Sequence, residues 1–401
     1  MYDAIVVGAR CAGAATAMLL ARKGHRVLLV DRGHFPSDMR QSTHLVWQPG
    51  VARLETWGLR GEVAASGCPA ITGGAIDFGP FTLTGRFPPA GDVHEAYAPR
   101  RFLLDTILVE AAVRAGARLQ EGCTVDGLIT GDPVNGAGPR VHGVRGRIGG
   151  RTFTATAPVV IGADGMRSAV ARMTQAPSYL ERPALSGTYF SYWSGLSLDE
   201  STLFVRPYRV VTANPTNDGL TVIAVSWPLE EYRRARTDIE GTVVRTVEEV
   251  SPEMADRLRA GRREERWAGA AVPGFFRRPY GPGWALVGDA GYVKDPCTAQ
   301  GITDAFASAQ LVADAVDDAL CGRRAWDEAL ADYERRRNET ALPMYEFTFA
   351  QASLEPAPPP LQDMLAALRD DQAGTDRFFG VFAGTVPVSH LLGAPEPAAA
   401  V

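Results

Sequence analysis

The stretch from Trp284 to Phe306, WALVGDAGYVKDPCTAQGITDAF, constrains the fold more than any other part of the chain. Its apolar start, Ala285 to Val287, reads as a buried strand that ends in Gly288-Asp289. A loop carrying Pro296 follows, and Gln300-Gly301-Ile302 opens a long helix. A fixed carboxylate and a helix N-terminus therefore meet at the end of one strand. The carboxylate can accept hydrogen bonds from a polyol. The unpaired N–H groups and positive end of the helix can hold a developing negative charge.

The N-terminus carries a second strand–turn–helix passage about 280 residues earlier. Ala4 to Val7 is an apolar run, Gly13 to Lys23 has helical spacing and stops at Gly24, and Val27 to Val30 is a second strand. The turn between them is Gly8-Ala9-Arg10-Cys11-Ala12-Gly13. A dinucleotide-binding turn needs glycine for the bend, for backbone approach to a pyrophosphate, and for close helix–strand packing. Gly8 and Gly13 fill the first and third positions. Arg10 stands at the second, where it either lies along the pyrophosphate as a counter-charge or points to solvent. Asp31 ends the second strand, where a carboxylate can hold ribose hydroxyls. A ribityl chain with an electron-rich ring, a flavin, meets the requirements of both passages. Their separation rules out a simple nicotinamide-dinucleotide domain.

The chain of 401 residues is 46% hydrophobic and 22% charged, the profile of a soluble globular protein with one large or two intimate domains. A net charge of −5 argues against nucleic acid or an anionic membrane as partner. The only lysines are Lys23 and Lys294. Five cysteines, Cys11, Cys68, Cys123, Cys297 and Cys321, are scattered and lack a CxxC pair. Neither a disulfide framework nor a metal site is expected, and a reducing cytoplasm fits. Met1 leads almost directly into a strand, so no signal peptide is expected, and no apolar run approaches the ~18 residues of a membrane span.

Short strand-like pieces fall between 67 and 98, and Arg101 to Ala115 is an amphipathic helix stopped by Gly116. Residues 118–161 read as strands with Gly/Pro turns, and 185–228 as an antiparallel sheet rich in aromatic and β-branched residues. Helices are expected near 237–261, 300–320 and 325–345, with a frayed end from Ala394 to Val401. Arg101 at a helix start opposes the dipole unless an anion is near. Gly162-Ala163-Asp164-Gly165 ends a strand before a helix that Ser168 can cap, so Asp164 serves either the turn or a ligand.

These signals, in this order and strand context, resemble the FAD-dependent monooxygenases of the para-hydroxybenzoate hydroxylase fold, the group A enzymes. Halogenase-like and geranylgeranyl-reductase-like flavoproteins share that architecture. The resemblance spans roughly residues 1–345. It implies an α/β fold: a Rossmann-like FAD-binding lobe of the glutathione-reductase type, with an inserted antiparallel β-sheet substrate lobe and C-terminal helices. The FAD lobe would occupy 1–178, with small inserted strands near 67–98, and 280–345. The substrate lobe would occupy 179–279, and a helical extension 346–401.

The resemblance also implies roles. Gly8, Arg10, Cys11, Ala12 and Gly13 would surround the FAD pyrophosphate, Asp31 the adenosine ribose, Arg32 and Val125 the adenine. Arg101 and Asp164 would touch FAD, the latter also NAD(P)H. Asp289 would bind the ribityl region, Pro296 would lie by the ring, and Gly301 and Ile302 would present N–H groups to flavin N1 and O2. His44 is a candidate for cofactor or substrate contact, or else a surface loop histidine. Lys294 either approaches the flavin or is an exposed loop lysine, and Cys297 reads as a small filler. Phe204, Arg206, Asn214 and Trp227 are candidate substrate-lining residues. The implied reaction is NAD(P)H- and O2-dependent hydroxylation or epoxidation of an aromatic or polyketide-like molecule through a flavin C4a-hydroperoxide. A reductase or a halogenase is the alternative, and the protein would be a monomer or homodimer. The tryptophan-halogenase pattern Trp-x-Trp-x-Ile-Pro is absent from the sequence.

Overall fold

Two runs of four apolar residues, Ala4–Val7 and Val27–Val30, pair in parallel with every side chain buried. Continuous apolar strands of this kind need cover on both faces. In the computed structural model, which describes residues 1–37, 39, 42–133 and 139–391, they lie at the middle of a six-stranded sheet. Its order is Tyr280–Gly281, Trp284–Leu286, Val160–Gly162, Ala4–Val7, Val27–Val30, Arg118–Gln120, parallel except at the first edge. The helices Cys11–Arg22, Arg101–Arg114 and Gly301–Leu320 cover one face through Ala14, Ala17, Met18, Leu104, Ala305, Ala309 and Val312. A three-stranded sheet, Cys123–Pro133, Pro139–Ile148 and Arg151–Thr156, covers the other through Cys123, Val141 and Val144.

A second, eight-stranded sheet is built around Ser186–Ser194, Ser201–Arg206, Arg209–Pro215 and Thr221–Pro228. Its core side buries Trp227, Ile223, Val225 and Val211 against the helices Ile239–Val250 and Pro252–Ala260. The strands Gly73–Asp77 and Thr82–Arg86, expected as part of the cofactor lobe, extend this sheet instead. Gly73–Asp77 pairs in parallel with Ser201–Arg206, so the sheet is mixed. Alternation along a strand reveals its two faces but not a partner far along the chain.

The chain beyond the long helix Trp326–Ala352 returns to this sheet. That helix continues through Pro343 and outlasts the expected end near 345. The helices Pro359–Ala367 and Gln372–Ala383 then pack Leu365, Phe378 and Phe379 onto Ile76, Leu83 and Phe87. Asp371 caps the second by accepting from Gly374 N–H at 2.9 Å, and Gly384, at φ +75°, ends it. Ala394 to Val401 lies outside the described residues. Among the described residues no helix is long and apolar enough to cross a membrane.

The tightest point is the first turn. A Cβ on Gly13 would lie 1.8 Å from the Gly8 carbonyl oxygen and 3.0 Å from the Ala163 Cβ. Gly13→Ala must displace backbone, and we expect at least ~2 kcal/mol of destabilisation in urea unfolding. Stability unchanged from the parent would show that the turn is not close-packed.

Candidate active site

A cavity of 2060 Å³ lies between the two sheets. Single-ligand pockets are typically ~300–1,000 Å³, so this one has room for a large cofactor and a second molecule. Helix Cys11–Arg22 opens onto it with no side-chain cap on its N-terminus, as does Gly301–Leu320. Two positive helix ends thus face one space.

At the nucleotide end, Asp31 accepts from the N–H of Ala9 and of Gly33, each at 2.7 Å, and so ties the glycine turn to the second strand. Gly8, Arg10, Cys11, Ala12, Arg32 and Val125 line the cavity with it. Gly13, buried beneath the turn, permits the close packing and is not itself a lining residue. Asp164 lines the cavity, but its oxygens accept from Ser168 O–H at 2.5 Å and Ala169 N–H at 2.6 Å. Ser168 in turn accepts from Ala171 N–H at 2.9 Å. Asp164 is therefore first a capping residue of the following short helix.

In the middle, Arg101 makes a two-pronged pair with the fully buried Asp105, at 2.9 and 3.0 Å, and the Cys11 thiol donates to Asp105 at 3.3 Å. Asp105 was not singled out in the sequence, although its i,i+4 spacing from Arg101 was a readable signal. Asp289 opens its carboxyl onto the cavity, which accounts for its exposure, while protein encloses it on the other sides. That enclosure pushes the carboxyl up to about 6, with Arg101 pulling it down, Asp304 up and Lys294 down. Lys294 is buried, lines the cavity, and is paired with Asp304 on the first turn of the helix Gly301–Leu320. Pro296 also lines the cavity. Cys297 donates to the Thr348 carbonyl at 3.5 Å, and burial holds its thiol well above the ordinary range, as for an inert filler.

His44 is 1% exposed, in the left-handed region at φ 68°, and on the cavity wall. Its Nε2 is bonded to the Tyr192 hydroxyl, and its Nδ1 has no partner although it is buried. Burial, then the charges of Arg101 and Arg100, hold the ring well below the usual histidine range, so it is neutral. Tyr192 carried no sequence signal.

Arg206 and Asn214 line the cavity, whereas Phe204 and Trp227 do not. Both lie in the core under the sheet, Trp227 donating to Thr246 Oγ1 at 3.1 Å. Strand alternation explains the correction: Leu203 and Val205, the neighbours of Phe204, are the lining residues. The C-terminal helices supply a wall, including Leu361 and Phe378, that the sequence did not disclose. Gln300, just before the helix at Gly301, donates to the Phe382 carbonyl at 2.6 Å and fastens that wall to the site.

Two uncapped helix ends, a glycine turn that excludes side chains, and a carboxylate facing the cavity are the donors and acceptors that FAD requires. The model for the FAD binding domain matches residues 1–348. The chain belongs to this family. It is similar to the digeranylgeranylglycerophospholipid reductase of Methanocella arvoryzae, 25% identical over 84% of this chain and 83% of the relative. It is also similar to phenazine 1,6-dicarboxylic acid hydroxylase PhzS of Lysobacter antibioticus, 30% identical over 53% of this chain and 51% of the relative. Among solved structures, the flavin-dependent brominase Bmp2 superposes with a TM-score of 0.81 at 18% identity, over 96% of this chain and 93% of that one. Family membership makes this an FAD-dependent enzyme, with relatives that differ in reaction.

Two substitutions probe the cradle. The folded Asp289 carboxyl, at about 6, lies above its ordinary value of 3.8. Its contribution to apoprotein stability is thus full below pH ~4 and lost as pH rises through about 6. Asp289→Asn should stabilise apoprotein above pH 6 by about 1 kcal/mol, after discounting for water in the cavity, and leave it unchanged at pH 4. The same change should weaken FAD binding at least tenfold by titration. At Gly301 a Cβ meets nothing within 4 Å. Gly301→Ala should raise apoprotein stability by ~0.5–1 kcal/mol yet lower FAD affinity; equal FAD affinity would remove Gly301 from the cofactor cradle.

Proposed function

We propose that this enzyme is an NAD(P)H-dependent monooxygenase that hydroxylates or epoxidises an aromatic or polyketide-like molecule. The observation that carries this reading is one continuous cavity. It joins the FAD cradle to a wall of aromatic and aliphatic side chains under the C-terminal helices. Such a space seats an organic molecule beside the cofactor and keeps bulk water out. The bound flavin supplies the redox chemistry. NAD(P)H gives two electrons; one atom of O2 enters the product and the other leaves as water.

The protein's own part is orientation and charge. The glycine turn and the free N–H groups of helix Cys11–Arg22 would hold the pyrophosphate. Asp289 would anchor the ribityl chain, and the N–H groups of Gly301 and Ile302 would face the ring. Arg101 is held by Asp105 as a fixed positive charge near Asp289. His44 would use Nδ1 toward the bound molecules. It holds a proton there when Nε2 accepts from Tyr192, and accepts there when Nε2 donates.

A halogenase reading is weakened by the absent Trp-x-Trp-x-Ile-Pro pattern and by the lysines, since resemblance to tryptophan halogenases would imply a lysine from the first third of the chain at the site. Lys23 pairs with Asp314 and Asp317 away from the cavity, and Lys294 is neutralised by Asp304. A reductase of isoprenoid double bonds is the second reading, favoured by relatives such as the Methanocella arvoryzae protein along most of the chain.

Oxygen separates the two. A panel of phenols and polyketides should contain compounds that stimulate NAD(P)H oxidation with matching O2 uptake and ¹⁸O incorporation; reduction of a double bond without O2 would decide for the reductase. His44→Asn keeps a residue type tolerant of the left-handed region. It should lower stimulated turnover about tenfold with FAD content unchanged, and full turnover would relieve His44 of any role.

A further inference from the structure

The cavity has two electrostatic halves. At the nucleotide end Arg10, Arg32, Arg167 and Arg172 line it. Among the described residues none of these four has a carboxylate within ion-pair distance. This half is built to receive anions.

Toward the second sheet the pattern reverses. Arg206 is paired with Asp77 at 3.0 Å and also donates to the carbonyls of Asp77, Val205 and Val250. Lys294 is paired with Asp304, Arg101 with Asp105, and His44 is neutral. Every described cation lining this half is therefore neutralised. Of the acids, Asp289 faces the cofactor cradle, and Asp295 is buried, accepting from Ser186 O–H at 2.9 Å and Cys297 N–H at 3.0 Å. Glu355 stands in solvent at the rim.

What remains is a wall of two neutral textures. The central strands offer short hydroxyl and amide groups, Thr188 with Ser226 at 2.7 Å and Ser201 donating to Asn214 at 2.6 Å. The neighbouring edge offers Leu203 and Val205, faced by Leu361 and Phe378. A carboxylate, phosphate or ammonium brought here would lose its hydration without gaining a counter-charge. An uncharged molecule with one hydroxylated or carbonyl-bearing edge and one apolar edge would satisfy both textures. The size of the cavity favours several rings over one.

We propose that the substrate half takes an uncharged multi-ring molecule, its oxygenated edge on the Thr188–Ser226 strands and its apolar edge against Leu203, Val205, Leu361 and Phe378. This rests on the reading that the cavity holds substrate beside FAD, but not on which reaction follows.

The test uses the FAD-loaded full chain and three probes on one skeleton: 2-(hydroxymethyl)anthraquinone, anthraquinone-2-carboxylate and 2-(aminomethyl)anthraquinone. Dissociation constants come from equilibrium dialysis at constant ionic strength. The neutral probe should bind at least tenfold more tightly than either charged one. Val205→Lys, which adds an unpaired cation to the wall, should bring the carboxylate level with the neutral probe. Equal or tighter binding of a charged probe by the parent protein overturns the proposal, and so does failure of all three to bind. Binding of the neutral probe without stimulated O2 uptake would instead count against the monooxygenase reading and leave the substrate class standing.

Discussion

Everything at this site hangs on how closely two helices approach. Cys11–Arg22 and Gly301–Leu320 pack in one buried cluster rich in alanines, among them Ala14, Ala17, Ala305, Ala309 and Ala313, beside Met18, Phe306 and Val312. The approach continues where the first turn of Cys11–Arg22 meets the end of the strand Trp284–Leu286, and a Cβ on Gly288 would stand 2.7 Å from that of Ala12. Larger side chains along this seam would separate the helices and their N-termini. As built, two segments about 280 residues apart place free backbone donors against one cavity. Small residues here convert packing into a local electrostatic property.

Charge is then distributed with economy. Among the described residues the arginines of the nucleotide end have no carboxylate partner, and the cations of the middle are answered by a neighbouring acid. Arg101 with Asp105 is a buried pair and Lys294 with the half-buried Asp304 a partly buried one, and such pairs hold position more than they add stability. Asp289 is the exception, a cavity-facing acid whose enclosure by protein on its other sides is only partly offset by Arg101 and Lys294. A carboxylate so placed could accept hydrogen bonds from the hydroxyls of a polyol.

Much of this was legible in the sequence, for physical reasons that differ from element to element. The strands Ala4–Val7 and Val27–Val30 were readable because burial on both faces forces an unbroken apolar run. The glycine turn and the Gly288-Asp289 passage were readable because backbone geometry there admits few residue types. Phe204 and Trp227 were misplaced because alternation separates two faces without saying which one meets the cavity. The strands at 73–86 and the C-terminal helices were assigned to the wrong neighbour or to none, since their partners lie far along the chain. Tyr192 left no trace, because its hydrogen bond to His44 joins two segments with no shared periodicity.

The bond from Gln300 to the Phe382 carbonyl joins the cofactor side of the cavity to its far wall. The part of the chain that matches the family ends at residue 348, whereas the helices that close the cavity lie wholly beyond it. One wall of the cavity is thus supplied from beyond the matched portion, and Gln300 ties it to the cofactor side. Changes at Leu361 or Phe378 would reshape the space beside the cofactor without touching the turns that hold it, so long as Gln300 keeps its grip on the Phe382 carbonyl.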